Sequence, residues 1–312
     1  MDINRANMDA LFKTFNTLFT QGQQRGRPIP QELMGLYLTL AELAMTVPSA
    51  GAVTVHAWLN QLPGFRRWLG DRTKKDVSTN KLEVTNADWE DTIAVQRNDI
   101  EDDQYGLYGP LFANLGIEGA DDALWLDMAV DALIANGVWV DGKAFFVADR
   151  LYGANTINNL TTSALSQTTL EAAVAAMMAY KGPENGFLSP IPTMLVVGPT
   201  LRTTAWDLVK NEFVSSGTGK GGAIQNRCRG LVNMRVHPKL SGAYANYWFV
   251  MAVKGGIKAV AVQKRREAVL VAKDSVTDDN VFFNKEFIYG ADARGEAFLT
   301  LPHLAYAGQV AP

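Results

Sequence analysis

Residues 68–95 alternate with the two-residue period of a β-strand while carrying charge along their length, and such a stretch cannot build a core of its own. Arg66, Arg67, Asp71, Arg72, Lys74, Lys75 and Asp76 lead into Lys81, Glu83 and Asp88, with Leu82, Val84 and Trp89 interspersed. Breaks at Ser78-Thr79-Asn80 and Asn86-Ala87-Asp88 divide the run, which predicts a long two-stranded excursion. An isolated hairpin is at best marginal in water, so this ribbon must lean on a surface. That surface belongs to another chain or, as for most charged hairpins, to the same molecule.

A second segment also seeks a partner. Over residues 7–21, Leu11, Phe12, Phe15, Leu18 and Phe19 fall on one stripe of a helix. Gly22, Gly26 and Arg27-Pro28-Ile29-Pro30 then force an extended connector. An apolar helix on a strap reads as an arm for another subunit, or equally as a helix folded onto its own domain.

With 312 residues, 47% of them hydrophobic, the chain reaches the upper size of one compact unit, and two subdomains are expected. A formal net charge of -3 leaves no basic footprint for reading nucleic acid, although a chain that merely encloses it could look like this. The single cysteine, Cys228, excludes an intrachain disulfide and suits a reducing cytoplasm. The N-terminus lacks the apolar run of a signal peptide, and residues 33–47 contain Glu42 and stop at Pro48, too short and polar for a membrane span. The protein is expected to be soluble, with both ends retained and no long propeptide lost.

Residues 97–104 form an acidic cluster, Asp99, Glu101, Asp102 and Asp103 included, ahead of a helical stretch over residues 105–135 with Gly116 and Gly119 as kink or break points. Carboxylates there suit a helix start, and the spacing of a calcium loop is absent. Asp141-Gly142 between Val138-Trp139-Val140 and Lys143-Ala144-Phe145-Phe146 predicts a hairpin with a type I′ turn. Thr168 and Glu171 read as a capping box opening an alanine-rich helix. A strand over residues 194–197, a helix over 201–213, and strands near 231–236, 247–253, 268–272 and 286–289 complete an α+β pattern with no strict βαβ alternation and no repeat.

No active site emerges. Gly217, Gly219 and Gly222 match a dinucleotide-type glycine spacing, yet the run follows a predicted helix and leads into polar chain, and Val214 and Gly221 stand where a phosphate loop needs Gly and Ser or Thr. A flexible loop is the better reading. His56, His237 and His303 have no metal-site spacing. Cys228 between Arg227 and Arg229 could be an activated thiol but has no evident base. No cofactor, metal or catalytic residue is assigned.

The block Trp58-Leu59-Asn60-Gln61-Leu62-Pro63-Gly64-Phe65-Arg66-Arg67-Trp68-Leu69-Gly70-Asp71-Arg72, followed by Val95-Gln96-Arg97-Asn98-Asp99-Ile100-Glu101-Asp102-Asp103-Gln104-Tyr105-Gly106-Leu107-Tyr108, closely resembles the Mu-like phage major head subunit family. Ile3-Asn4, Leu11-Phe12, Phe145-Phe146, Leu195-Val196-Val197 and Tyr289-Gly290-Ala291-Asp292-Ala293-Arg294-Gly295 extend the likeness across nearly the whole chain, with departures in residues 23–43 and at Asp149-Arg150.

The resemblance implies a Hong Kong 97-type capsid fold: an N-terminal arm over residues 1–55, an extension hairpin over 66–95, a peripheral domain over 96–149 and 265–312 with a spine helix over 104–136, and an axial domain over 150–264. It implies a virion shell subunit assembled in the host cytoplasm into pentamers and hexamers, around double-stranded DNA that it does not read. Further copies are the main partners, with scaffold, portal and decoration proteins as others and no membrane. Contacts between subunits are expected from Phe12, Phe15 and Phe19 on the arm and from Arg66, Arg67, Trp68, Asp71, Arg72, Lys74, Lys75, Lys81 and Trp89 on the ribbon. Lys74, Lys75 and Lys81 are candidates for a covalent crosslink, which some relatives of the fold make. Two other readings are a nanocompartment shell of the same fold and, from another class, a nucleotide-binding enzyme using residues 217–222.

Overall fold

The computed structural model describes residues 3–59, 79–102, 104–182, 185–215 and 223–308. The amphipathic N-terminal stretch forms α1, Arg5–Arg25, started by the Asn4 side chain accepting from the Asn7 amide at 2.9 Å and stopped by Gly26 at φ +60°. Its buried stripe of Met8, Leu11, Phe15 and Phe19 lies against α2, Gly109–Glu118. The two backbones nearly touch. A Cβ on Gly22 would stand 2.1 Å from the Ala113 carbonyl oxygen, and one on Gly116 would stand 2.0 Å from that of Phe19. Gly116 is therefore the crossing point of two helices and not the kink expected of it. Gly119 does end α2, and a π-helical turn at Asp121–Trp125 leads into α3, Leu126–Ala135. The spine predicted as one element over residues 104–136 is thus two helices joined by an irregular turn.

In chain order the strands that carry the fold are β1 (Ala44–Pro48), β2 (Val53–Leu59), β3 (Thr79–Thr85), β4 (Ala87–Gln96), β5 (Leu160–Thr161), β6 (Met194–Val197), β7 (Asn233–Val236), β8 (Trp248–Met251), β9 (Val260–Lys273), β10 (Glu286–Leu299) and β11 (Ala305–Gly308). A four-stranded sheet runs β1-β9-β10-β4, with β1 parallel to β9 and the other pairs antiparallel. A five-stranded sheet runs β7-β6-β8-β11-β5. β6, β8 and β11 are buried at every position, because both faces of the sheet are covered. Val196, Phe249 and Met251 join the core of α1, α2, α3 and the four-stranded sheet. Leu195, Trp248 and Val250 face the other way, onto α4 (Gln167–Ala179) and α5 (Arg202–Val209).

Residues 27–48 staple the two sheets together. Arg27 binds Asp127 of α3 through both guanidinium arms, at 2.9 and 3.0 Å, and reaches Glu118 at 3.0 Å. Tyr37 bridges Val236 at the edge of the five-stranded sheet, and Arg235 clasps Glu42 and the Gly35 carbonyl. The turn of helix Leu40–Leu43 takes Asp122 on its first amide at 2.6 Å, and Lys258 on the carbonyls of Ala41 and Ala44. β1 then edges the four-stranded sheet. The stretch expected to reach out as an arm instead crosses its own molecule.

Burial pushes the Asp127 carboxyl up, but the nearby imidazole of His237, its Nε2 3.3 Å from Oδ1, and the hydrogen bonds from Arg27 outweigh it and hold the group down from 3.8 to about 2. The folded state then binds fewer protons than the unfolded one, so the contribution, about 2 kcal/mol, is complete above pH ~4 and fades as pH falls through ~2. Asp127→Asn is expected to flatten this part of the stability profile, read as urea midpoints from pH 5 downward.

Several local expectations change. The two strands that pair as a ribbon are β2 and β3, from Val53↔Thr85 to Leu59↔Thr79, while residues 87–96 form the edge strand β4. The excursion therefore springs from residues 53–85, not 66–95, because Asn86 ends the pairing and turns the chain into the sheet. The final strand β11 pairs with β8 in the five-stranded sheet, and β9 starts the four-stranded sheet at Val260. The α4 capping box is Ser166 with Thr169, two residues earlier than expected. Asp141-Gly142 does turn the chain, but only Val138 and Ala144 bridge, and Gly142 alone has positive φ, +79°. That excludes a type I′ turn, which needs it at both centres. β9 and β10 are 14 residues each, far longer than read, because Gly290, Ala291, Ala293 and Gly295 in β10 give little β-signal of their own.

Candidate assembly interface

The ribbon is anchored by a buried polar knot. Gln263, fully buried on β9, donates to the Val84 carbonyl at 3.1 Å and to Asn86 Oδ1 at 2.8 Å. Asn86 in turn donates to Ser49 Oγ and to the Gly51 carbonyl, both at 2.8 Å. His56 Nε2 meets Gln263 Oε1 at 3.0 Å while its ring stacks on Phe298 at 4.5 Å. Leu82 and Val84 complete the root against Phe298, Ala261, Met45 and Val47. Each of these amides would cost about 1–3 kcal/mol if buried without its partners, so they define the angle at which β2 and β3 leave the body. On the outward face, Val53 and Val55 are 47% and 51% exposed.

Beside this root lies a cavity of about 440 Å³, floored by Leu82, Val84, Met128, Trp139, Phe145 and Phe298. Its charged lining is wholly acidic: Glu83, Asp131 and Glu296. Trp89, 38% exposed, separates it from a smaller hollow of about 140 Å³ whose charged lining is again only carboxylates, Glu90, Asp91, Glu118 and Asp292. Asp131, Glu118 and Asp292 are engaged by Lys239, Arg27 and Arg266. Glu83, Glu90, Asp91 and Glu296 make no ion pair among the described residues. Burial raises the Glu296 carboxyl above its ordinary value.

Of the contact residues expected from sequence, Phe15 and Phe19 are buried in the chain's own core. Phe15 is 1% exposed, stacks on Phe112 at 4.0 Å and meets Tyr289 edge-on at 5.3 Å, and Phe19 is buried beside it. Phe12, partly buried, lies over Tyr289 at 6.5 Å. The stripe serves the chain's own core, because α2 and β10 offer it a complementary apolar surface within the same polypeptide. Lys81 is exposed on β3, and Trp89 stands on β4 at the groove. Arg66, Arg67, Trp68, Asp71, Arg72, Lys74 and Lys75 lie outside the described residues.

The glycine run at residues 216–222 also lies outside them, but it joins strands Phe213–Ser215 and Ala223–Gln225, which pair antiparallel. It thus links two strands, whereas a nucleotide loop leads from strand to helix. Cys228 is buried, and burial followed by the nearby Glu171 pushes its thiol up to about 11, the opposite of activation. Sequence reading missed Gln263, Asn86 and Ser49. Gln263 stands between the apolar run Ala259-Val260-Ala261-Val262 and the charged run Lys264-Arg265-Arg266, so its neighbours gave no signal of its burial.

The Mu-like prophage major head subunit gpT family model matches residues 8–164, 152–240 and 232–311. The Mu-like prophage FluMu major head subunit of Haemophilus influenzae is 33% identical over 141 residues, covering 42% of this chain and 45% of that one. The major capsid protein of Escherichia phage Mu is 22% identical over 259 residues, covering 82% of this chain and 61% of that one. The chain therefore spans between about half and three fifths of the length of these relatives. Among solved structures, the procapsid of bacteriophage JBD30 aligns with 98% of this chain and 76% of its own at TM-score 0.56 and 22% identity, which shows the fold to be of the phage-capsid, Hong Kong 97 type. With matched segments running from α1 to β11, the chain belongs to the Mu-like prophage major head subunit family.

Proposed function

We propose that the chain is the structural subunit of a phage head shell, many copies of which close around double-stranded DNA without reading it. The observation that carries this is the β2–β3 ribbon: its root is locked into the body by Gln263 and Asn86 while Val53 and Val55 face outward beside an open groove. A rigidly aimed ribbon with an open apolar face serves a contact that repeats from copy to copy. A head-to-tail contact of that kind closes into rings, and small changes of angle let one chain form both pentamers and hexamers. A formal charge of -3 keeps the inner wall from gripping phosphate.

The subunit acts by assembly and catalyses nothing; its buried, raised Cys228 thiol is no nucleophile. Scaffold, portal and decoration proteins are the further partners of this reading, the host cytoplasm is the place of assembly, and the virion is the destination. Overexpressed full-length chain, examined by sedimentation and electron microscopy, is expected to form closed hollow shells. A chain that stays monomeric or forms a small closed oligomer under all assembly conditions sinks the proposal. Particles from infected or induced cells should hold DNA and carry a tail; an enclosed enzyme in its place would favour the nanocompartment.

A further inference from the structure

We infer that the cleft where the strap meets the edge of the five-stranded sheet binds a small phosphate-type oxyanion, held by Lys254, Lys258, Asn233 and Thr193. The site belongs to the single chain and does not depend on the shell reading. It is a cavity of about 210 Å³. The strap walls one side with Ala41 and Glu42, the starts of β6 and β7 contribute Thr193 and Asn233, and the link from β8 to β9 supplies Lys254 and Lys258. Three cations and one carboxylate line it. The carboxylate is already taken, because Arg235 Nε donates to both oxygens of Glu42, at 3.0 and 2.8 Å. Those two charges cancel, which leaves two lysines with no ion pair among the described residues. Lys258 is half-buried and donates to the carbonyls of Ala41 and Ala44, neutral acceptors that leave its third N–H over. Burial holds its ammonium below the ordinary value although Glu42 pulls the other way. A desolvated cation in that state gains from an anion beside it.

Donors and charge select the ligand class. The Asn233 side chain has no hydrogen-bond partner among the described residues, and the Thr193 hydroxyl accepts from the Val253 amide at 3.4 Å, which leaves its own hydrogen to donate. A phosphate group brings several acceptor oxygens and a charge of about -1.5 to -2 at pH 7, against the two lysines here. Lysine meets phosphate as a point charge, and the amide and hydroxyl add direction. The formal net charge of -3 opposes a polyanion such as duplex DNA but not a single ion. The position gives the ion a structural consequence. The link carries the chain from the five-stranded to the four-stranded sheet, and the strap crosses between the same two, so an ion bound here ties both crossings together. Binding to the folded chain alone stabilises it by mass action.

Calorimetric titration of inorganic phosphate into the full-length, unassembled chain at constant ionic strength should show one saturable site per chain, and chloride should show none. Lys254→Gln should weaken binding by about tenfold, the worth of one charge-assisted hydrogen bond. Because Lys254 is exposed, that variant should melt as wild type does in phosphate-free buffer. Lys258→Met should weaken binding at least as much, but it also uncaps the turn at Ala41 and Ala44, so Asn233→Ala, at an exposed position, serves as the second variant, with a several-fold loss expected. Wild type that takes up phosphate no better than chloride overturns the site, as do Lys254→Gln and Asn233→Ala chains that both bind with wild-type affinity. A short DNA duplex added in phosphate-free buffer should leave a later phosphate titration unchanged. Competition by the duplex overturns the assignment to a free ion.

Discussion

Phe15→Ala is expected to lower the unfolding free energy of the unassembled subunit by about 3–5 kcal/mol, the usual loss when a fully buried phenylalanine is truncated. The ring is 1% exposed and held by two aromatic neighbours, Phe112 stacked at 4.0 Å and Tyr289 edge-on at 5.3 Å. Its removal leaves a hole between α1, α2 and β10 that none of them closes alone, since α1 and α2 already touch backbone to backbone at Gly22 and Gly116. Urea unfolding of dissociated subunits measures the loss. The same variant separates two pictures of α1. A helix that docks into an adjacent subunit would leave the monomer's midpoint unchanged and weaken only assembly.

Gly116→Ala is expected to cost about 3 kcal/mol or more, although alanine is the better helix former by about 1 kcal/mol. Contact decides the sign. The new Cβ would lie 2.0 Å from the Phe19 carbonyl oxygen and 2.8 Å from its carbon, backbone atoms with no rotamer to escape into. The helices must separate, and the Phe15–Phe112 stack opens with them. Gly106→Ala is the control, because a Cβ there meets nothing within 4 Å, and its effect should stay within about 0.5 kcal/mol. Comparable losses at both positions in denaturant titrations would mean that helix crossing is not what Gly116 provides.

These two effects share a cause that bears on shell building. α1, the strap and β1 pack within the subunit itself, and on the proposed reading it is the ribbon that engages neighbours. If the contacts of a shell are individually weak, as exposed ion pairs of about 0 to 1 kcal/mol are, the geometry with which each is presented matters more than its strength. The Gln263–Asn86–Ser49 knot supplies that geometry.

Much of this molecule was legible in local chemistry. The stripe of Leu11, Phe15 and Phe19 announced α1, and the run Met194-Leu195-Val196-Val197 announced a buried strand, while charged alternation marked strands at residues 79–85 and 87–96 without telling which of them pairs in the ribbon. Those signals depend on neighbours three, four or two residues away, so they survive without knowledge of the fold. The failures are of another kind. That Phe15 meets Tyr289, that Gly22 and Gly116 let two helices touch, and that Gln263 finds Asn86, 177 positions away, are facts about pairs brought together by folding. An amphipathic pattern states that a face must be covered and is silent on what covers it, because the transfer of apolar area from water is non-directional. Choice of partner came from backbone clearance and hydrogen-bond geometry, properties that exist once the chain has closed on itself.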